Sequence, residues 1–167
     1  MSAQGKDLSY ALFTTPWGVM AVVASALGVK KVILPQPDKQ TVLQEIDSQA
    51  HQADLGNLPT RIKSYLSGKE TAFLDPIDLT GCTSFQRQVW QTVSSIPPGQ
   101  TRSYQWVAKQ LGQPRAARAV GQALATNPLP LLIPCHRVIG TRDLGGYGGG
   151  AALKKRLLKI EGTPPPS

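Results

Sequence analysis

The residues best equipped for chemistry lie in one run, PLPLLIPCHRVIG (residues 128–140), where Cys135 is followed at once by His136 and Arg137. A thiol becomes a strong nucleophile as its thiolate, and a neighbouring histidine or cation can take its proton or lower its pKa. The local sequence also argues against that pairing. Leu129, Leu131, Leu132 and Ile133 predict a buried extended segment with Cys135 at its end, and adjacent residues of a strand point to opposite faces. His136 would then reach the sulfur only through a bend or a bridging water. Free cysteine is also among the most buried residue types, so the residues alone leave open an inert thiol and an activated one.

The second candidate is RAARAVGQALAT, residues 115–126. Read as a helix, it sets Arg115 and Arg118 three apart on one face beside Ala116, Ala117, Ala119 and Gly121, while Val120, Ala123 and Leu124 can pack inward. Small side chains let a helix backbone approach another surface closely, and arginines supply phosphate contacts or a probe. The same composition also suits a helix packed tightly within the protein.

Elements must hold these groups in place. Ser84 can cap a helix with Phe85, Val89, Trp90 and Val93 on one face, ended by Pro97, Pro98 and Gly99. Ser103 caps a second helix, YQWVAKQL, after which Gly112 and Gln113 turn the chain and Pro114 can open the arginine-bearing helix. Helix, tight turn, helix is the outline of a helix-turn-helix, whose second helix normally enters a DNA groove. Further upstream, Leu12–Leu34 reads as a β-hairpin turning at Ser25, Ala26, Leu27 and Gly28. Residues 39–54 and 58–67 read as amphipathic helices, and 71–81 as an extended linker. His51 has no second ligand at metal-binding spacing and reads as an exposed helix-end residue.

The chain has 167 residues, 41% of them hydrophobic, with 18 Lys/Arg against 10 Asp/Glu. Residues 1–81 carry 7 basic and 8 acidic side chains, net −1; residues 82–167 carry 11 and 2, net +9. A basic half draws in a polyanion through steering and counterion release, or merely keeps a surface solvated. Coupled to the arginine-bearing helix, a +9 half with almost no acids favours the nucleic-acid reading. No apolar run approaches the length of a membrane span. The opening MSAQGKDLSY lacks a secretory signal, and two cysteines, Cys82 and Cys135, are too few for a disulfide scaffold. A cytoplasmic location is expected, with residues 1–80 as an α/β support domain and 81–167 as the domain carrying the chemistry.

The run PCHRV, preceded by FQRQVW, IPPGQTRSYQWVA and RAVGQALATNP and followed by GGYGGG and ALKKRLLKIEG, resembles the O6-alkylguanine-DNA alkyltransferases over residues 82–162. The resemblance implies an α/β (α+β) fold: a small RNase-H-like N-terminal domain and a winged helix-turn-helix C-terminal domain holding the active site. It implies direct-reversal repair, in which the alkyl group of O6-alkylguanine, and of O4-alkylthymine, in double-stranded DNA passes irreversibly to Cys135. Each molecule reacts once, because a thioether is not readily cleaved.

Roles carry over position by position. Cys135 would be the alkyl acceptor, His136 the general base through a water, and Glu161 the carboxylate orienting that histidine. Tyr104 would donate a proton to the guanine ring and press on a phosphate, and Asn127 would brace the turn leading to the active-site segment. Arg118 would fill the hole left by the flipped nucleotide, with Arg115, Ala117, Gly121 and Tyr104 also on the DNA side. Tyr147, Gly148 and Val138 would bound the pocket. The resemblance implies no cofactor, no metal and no membrane, and a monomer with the option of cooperative assembly on DNA. The zinc site of some relatives needs ligands that the N-terminal half lacks. Many relatives have serine after the loop tyrosine; Gly148 in its place predicts a roomier pocket that accepts bulkier adducts. A non-catalytic lesion binder, a transcriptional regulator and a cysteine hydrolase are the competing classes. The first would replace Cys135, the second would add a sensing module, and the third would turn over. The tail TPPPS is expected to be disordered.

Overall fold

The computed structural model describes residues 7–69 and 72–163, and the chain divides into two compact units at Thr80/Gly81. Except for Thr163, the tail TPPPS lies outside the described residues.

The first unit is built on a four-stranded sheet in the order β3-β2-β1-β4. Its strands are β1 (Ser9–Thr15), β2 (Gly18–Ser25), β3 (Gly28–Gln36) and β4 (His51–Gln52). The expected hairpin over Leu12–Leu34 is therefore a three-stranded meander. Pro16 and Trp17 break the first extended run, and Gly18, at φ 134°, turns where a Cβ would strike the Gln36 backbone. β2 is buried on both faces, with Met20, Ala21, Val22 and Val23 nearly inaccessible. Helix α1 (Lys39–Gln44) lays Val42 on the Ala21, Val23 and Ile33 face, joined there by Ile46. This helix is shorter than the expected 39–54, because Asp47 turns the chain by accepting the Gln49 N–H and residues 51–52 then pair with β1. His51 is exposed, in a strand instead of at a helix end. Helix α2 (Leu58–Leu66) buries Leu58, Ile62, Tyr65 and Leu66. Beyond it, Asp78 is anchored by Ser25 at 2.6 Å and by Thr80 at 2.5 Å. Burial raises its carboxyl, but these hydrogen bonds and Lys30 outweigh that and hold it at about 2.

The second unit packs α3 (Ser84–Val93), α4 (Tyr104–Gln110) and α5 (Ala117–Ala125) against one another, with α6 (Ala151–Ile160) following. The cap of α3 is Thr83, one residue before the expected Ser84, because Thr83 and Gln86 form a reciprocal capping box. Trp90 is 2% exposed, and its Nε1 donates to the Ala123 carbonyl at 3.0 Å, tying α3 to the last turn of α5. Pro114 and Arg115 form a turn instead of opening α5, so Arg115 and Arg118 do not share a helical face. A short parallel pair, β5 (Arg102–Ser103) and β6 (Val138–Ile139), joins the start of α4 to the segment after Cys135.

The expected extended segment before Cys135 is a turn. Asn127 accepts the Leu129 N–H at 2.9 Å and donates to the Ile133 carbonyl at 3.0 Å, Leu131 adopts φ 77°, and three prolines withhold strand donors. Cys135–Arg137 then form one turn of 3-10 helix. Successive residues there are rotated by roughly 120° instead of the 180° of a strand, which removes the objection that His136 must face away from the thiol. Among the described residues no helix is long and apolar enough to cross a membrane.

Candidate active site

Four pieces of the second unit converge on one cavity of about 360 Å³. Tyr104 enters from the first position of α4, fixed because Ser103 accepts the Trp106 N–H at 3.0 Å and caps that helix. α5 supplies Gly121, Leu124 and Ala125, the 3-10 turn supplies Cys135, and the loop before α6 supplies Gly146, Tyr147 and Gly148. A Cβ at Gly121 would meet the Tyr104 ring at 3.8 Å, ordinary contact, so packing against Tyr104 does not demand glycine there.

Cys135 is 8% exposed. Burial pushes its thiol up, opposed by a hydrogen bond from Asn127 and the charge of Lys154. The thiol is therefore protonated at neutral pH and needs a base to react. His136 is fully buried, and burial holds its ring below the usual histidine range despite a 2.9 Å contact from Nε2 to Glu161 Oε2. With Nε2 facing that carboxylate, Nδ1 is the ring nitrogen that Glu161 does not engage. The His136 ring also stands edge-on to Tyr147, with centroids 6.4 Å apart. Burial likewise raises the phenol of Tyr104, which therefore keeps its proton at neutral pH.

The geometry thus gathers Tyr104, Gly121, Cys135, Tyr147 and Gly148 at the cavity, with Asn127 bonded into the turn that presents the cysteine and the His136–Glu161 pair next to it. Arg118 is exposed on α5, Ala117 is half-buried in its first turn, and Arg115 is exposed before it. Val138 is not part of the lining. Its side chain is fully buried, its backbone pairs with Arg102, and its carbonyl accepts from Lys154 Nζ.

Two charged residues acquire a place here that the sequence reading did not give them. Lys154 is completely buried, and its Nζ donates to the carbonyls of Val138 at 2.7 Å and Gly146 at 3.0 Å. Burial pushes it down to about 8, opposed by Cys135 and Asp143. Its position three residues before Leu157 and four before Leu158 put it on the apolar face of α6, a signal readable in the sequence. Arg137 binds both Glu161 oxygens, Nε to Oε1 at 3.0 Å and Nη2 to Oε2 at 2.7 Å.

Comparison with known proteins gives these features a setting. Residues 84–163 match the profile of the 6-O-methylguanine DNA methyltransferase, DNA binding domain. The methylated-DNA–protein-cysteine methyltransferase of Mycobacterium leprae is 44% identical over 131 residues, covering 72% of this chain and 79% of the relative. That of Methanosarcina acetivorans is 36% identical over 156 residues, 92% and 98% of the two chains. The crystal structure of Mycobacterium tuberculosis OGT in complex with DNA superposes with a TM-score of 0.80 at 34% identity, covering 95% of this chain and 96% of that one. Fold and site define a mixed α+β protein of the kind that structure represents. The chain belongs to the methylated-DNA–protein-cysteine methyltransferase family.

Proposed function

We propose that this protein repairs DNA by direct reversal, taking the alkyl group of O6-alkylguanine, and of O4-alkylthymine, in double-stranded DNA onto its own Cys135 in a single turnover. The observation that carries this reading is a buried thiol on the wall of a base-sized cavity, in the same 3-10 turn as a histidine paired to a carboxylate.

In the reaction the sulfur attacks the carbon bound to O6, the C–O bond breaks, and its electron pair stays with the guanine. The thiol proton passes to His136 through Nδ1 and a water, and Glu161 stabilises the imidazolium that results. Tyr104 supplies a proton to the leaving base, whose developing negative charge would otherwise slow departure. Asn127 braces the turn that presents Cys135. The product is a thioether, which has no easy route back to the thiol, so the protein is spent.

The target carbon lies inside the base stack, so the nucleotide must leave it, at roughly a few kcal/mol. The exposed Arg118 suits the role of a side chain filling the vacated space, and Ala117 and Gly121 keep the face of α5 low for close approach to the minor groove. Arg115, in the preceding turn, suits a phosphate contact. Tyr147 and Gly148 bound the flipped base. On this reading α4 and α5 are the helices of a winged helix-turn-helix domain spanning 81–167, and residues 1–80 form an RNase-H-like support domain.

Intact-mass measurement after mixing with duplex DNA containing O6-methylguanine tests the proposal. One methyl added to the wild type and none to Cys135→Ser is the expected result; repeated turnover, or no mass change, overturns it.

A further inference from the structure

The Glu161 carboxylate serves two neighbours at once. Its Oε2 is 2.9 Å from His136 Nε2 and accepts from Arg137 Nη2 at 2.7 Å, while Oε1 accepts from Arg137 Nε at 3.0 Å. The remaining arm of the guanidinium, Nη1, donates to the Ile96 carbonyl at 2.7 Å. Ile96 opens the Ile96-Pro97-Pro98-Gly99 turn after α3, and the same turn abuts Glu161 from its other end. A Cβ at Gly99 would come within 3.2 Å of the Glu161 carbonyl oxygen. The cluster is nearly dry, with side-chain exposures of 0% for His136, 2% for Glu161 and 10% for Arg137.

Charge decides what such a cluster does. A buried carboxylate facing only an imidazole would favour the protonated ring and leave a poor base. A carboxylate already held by a guanidinium fork can still orient the ring by a hydrogen bond while favouring its cation much less. The other groups around His136 do not replace that fork. Lys154 of α6 is a second cation opposing a charged ring, Cys135 lies beside it, the Tyr147 ring stands roughly perpendicular to it, and Tyr104 stands at the cavity with Asp143 in the loop beyond. The charged group of α3, Arg87, and the remaining cations of α6, Lys155, Arg156 and Lys159, are exposed.

We propose that Arg137 is a positioning residue of the alkyl transfer: its fork fixes the Glu161 carboxylate to the Ile96 turn and offsets its charge, so that His136 faces the thiol as a neutral, oriented acceptor. This rests on the repair reading given above.

Histidine titration by NMR tests it, because the chain has two histidines and the exposed His51 serves as an internal reference. In Arg137→Met, the His136 midpoint should rise by about one pH unit or more, with single-turnover transfer at neutral pH falling about tenfold. Arg137→Lys keeps the charge and loses the fork. Its His136 midpoint should stay within about half a unit of wild type while transfer still falls several-fold. A folded Arg137→Met protein whose His136 titrates like wild type, or whose transfer is unimpaired, overturns the proposal. Should that variant not fold, Arg137→Lys decides alone: a wild-type transfer rate, or a midpoint raised by about a full unit, overturns it equally. The titration uses no alkylated substrate. A wild type that accepts no alkyl group would refute the repair reading without altering the titration that judges Arg137.

Discussion

The Cβ that Gly145 lacks would fall against the phenolic oxygen of Tyr104. The loop glycine and the cavity tyrosine are thus packed backbone to hydroxyl, and Gly145 adds φ 75°, a conformation L side chains rarely adopt. Gly145→Ala should cost about 1–2 kcal/mol of stability from the backbone alone. Displacement of the phenol should also slow alkyl transfer about tenfold or more, with DNA and free base alike, if Tyr104 is the proton donor. Gly148→Ala is the control, since a Cβ there meets nothing within 4 Å. Thermal denaturation and single-turnover rates on both variants check this, and a Gly145→Ala protein as fast as the control would contradict it.

Lys154 ties the same loop to β6 through the carbonyls of Gly146 and Val138, with its Nζ 6.0 Å from the centre of the Tyr104 ring. Lys154→Met should remove about 1–3 kcal/mol at neutral pH by leaving both without their donor, and should speed amide exchange across residues 144–148. The pH dependence has a definite sign. The folded value, about 8, lies below the ordinary 10.5, so between those values the unfolded chain binds more protons at this site. The contribution of Lys154 to stability therefore rises as pH rises through that window. Because Lys154 and Cys135 act on each other, the wild-type-minus-variant difference is taken in a Cys135→Ser background, and a difference that falls over that window would refute the assignment.

Why some of this was legible in the sequence and some was not follows from range. Caps and helix faces are local, so α2, α4 and the start of α3 stand within one residue of expectation, whereas α3 ends at Val93, ahead of the Pro97 stop. Thr83 displaced Ser84 only because Gln86 reaches back to complete a capping box. The turn before Cys135 was misread as a strand because apolar periodicity takes no account of an Asn127 side chain bridging Leu129 to Ile133. Arg115 was misplaced for a related reason: Pro114 suits both a first helical turn and the turn before it. The gathering of Tyr104, Cys135 and Tyr147 around one cavity joins residues some forty positions apart, and only the motif resemblance reached that far. Lys154 was given no role, although its spacing to Leu157 and Leu158 sets it on the apolar face of α6.

Gly148 offers a test of pocket size. With open space around its Cβ position and a φ outside the left-handed region, serine should fit there without strain. Gly148→Ser should leave stability within about 0.5 kcal/mol. By narrowing the cavity mouth it should shift selectivity about three- to tenfold from benzyl toward methyl adducts. Competition between O6-benzylguanine and O6-methylguanine measures the ratio, and an unchanged ratio would mean that Gly148 does not limit the pocket.

Arg118 separates extrusion of the base from chemistry upon it. Its side chain is exposed on α5 and absent from the cavity lining, whereas Cys135, His136 and Glu161 are buried. Arg118→Ala should leave the folded state and the thiol untouched, so transfer from free O6-benzylguanine should change less than about twofold. Duplex substrate is different, because nothing would then fill the space the nucleotide vacates, and unstacking costs roughly a few kcal/mol. Loss of even about 2 kcal/mol of that compensation lowers the flipped population about thirtyfold, and repair of duplex DNA should slow in proportion. Single-stranded DNA, with less stacking to break, should fall between the two. Parallel single-turnover rates on the three substrates give the ordering directly. Equal losses on all of them would place Arg118 in the chemistry, and equal losses on duplex and single strand with the free base spared would place it in general DNA attraction; neither fits the vacated stack.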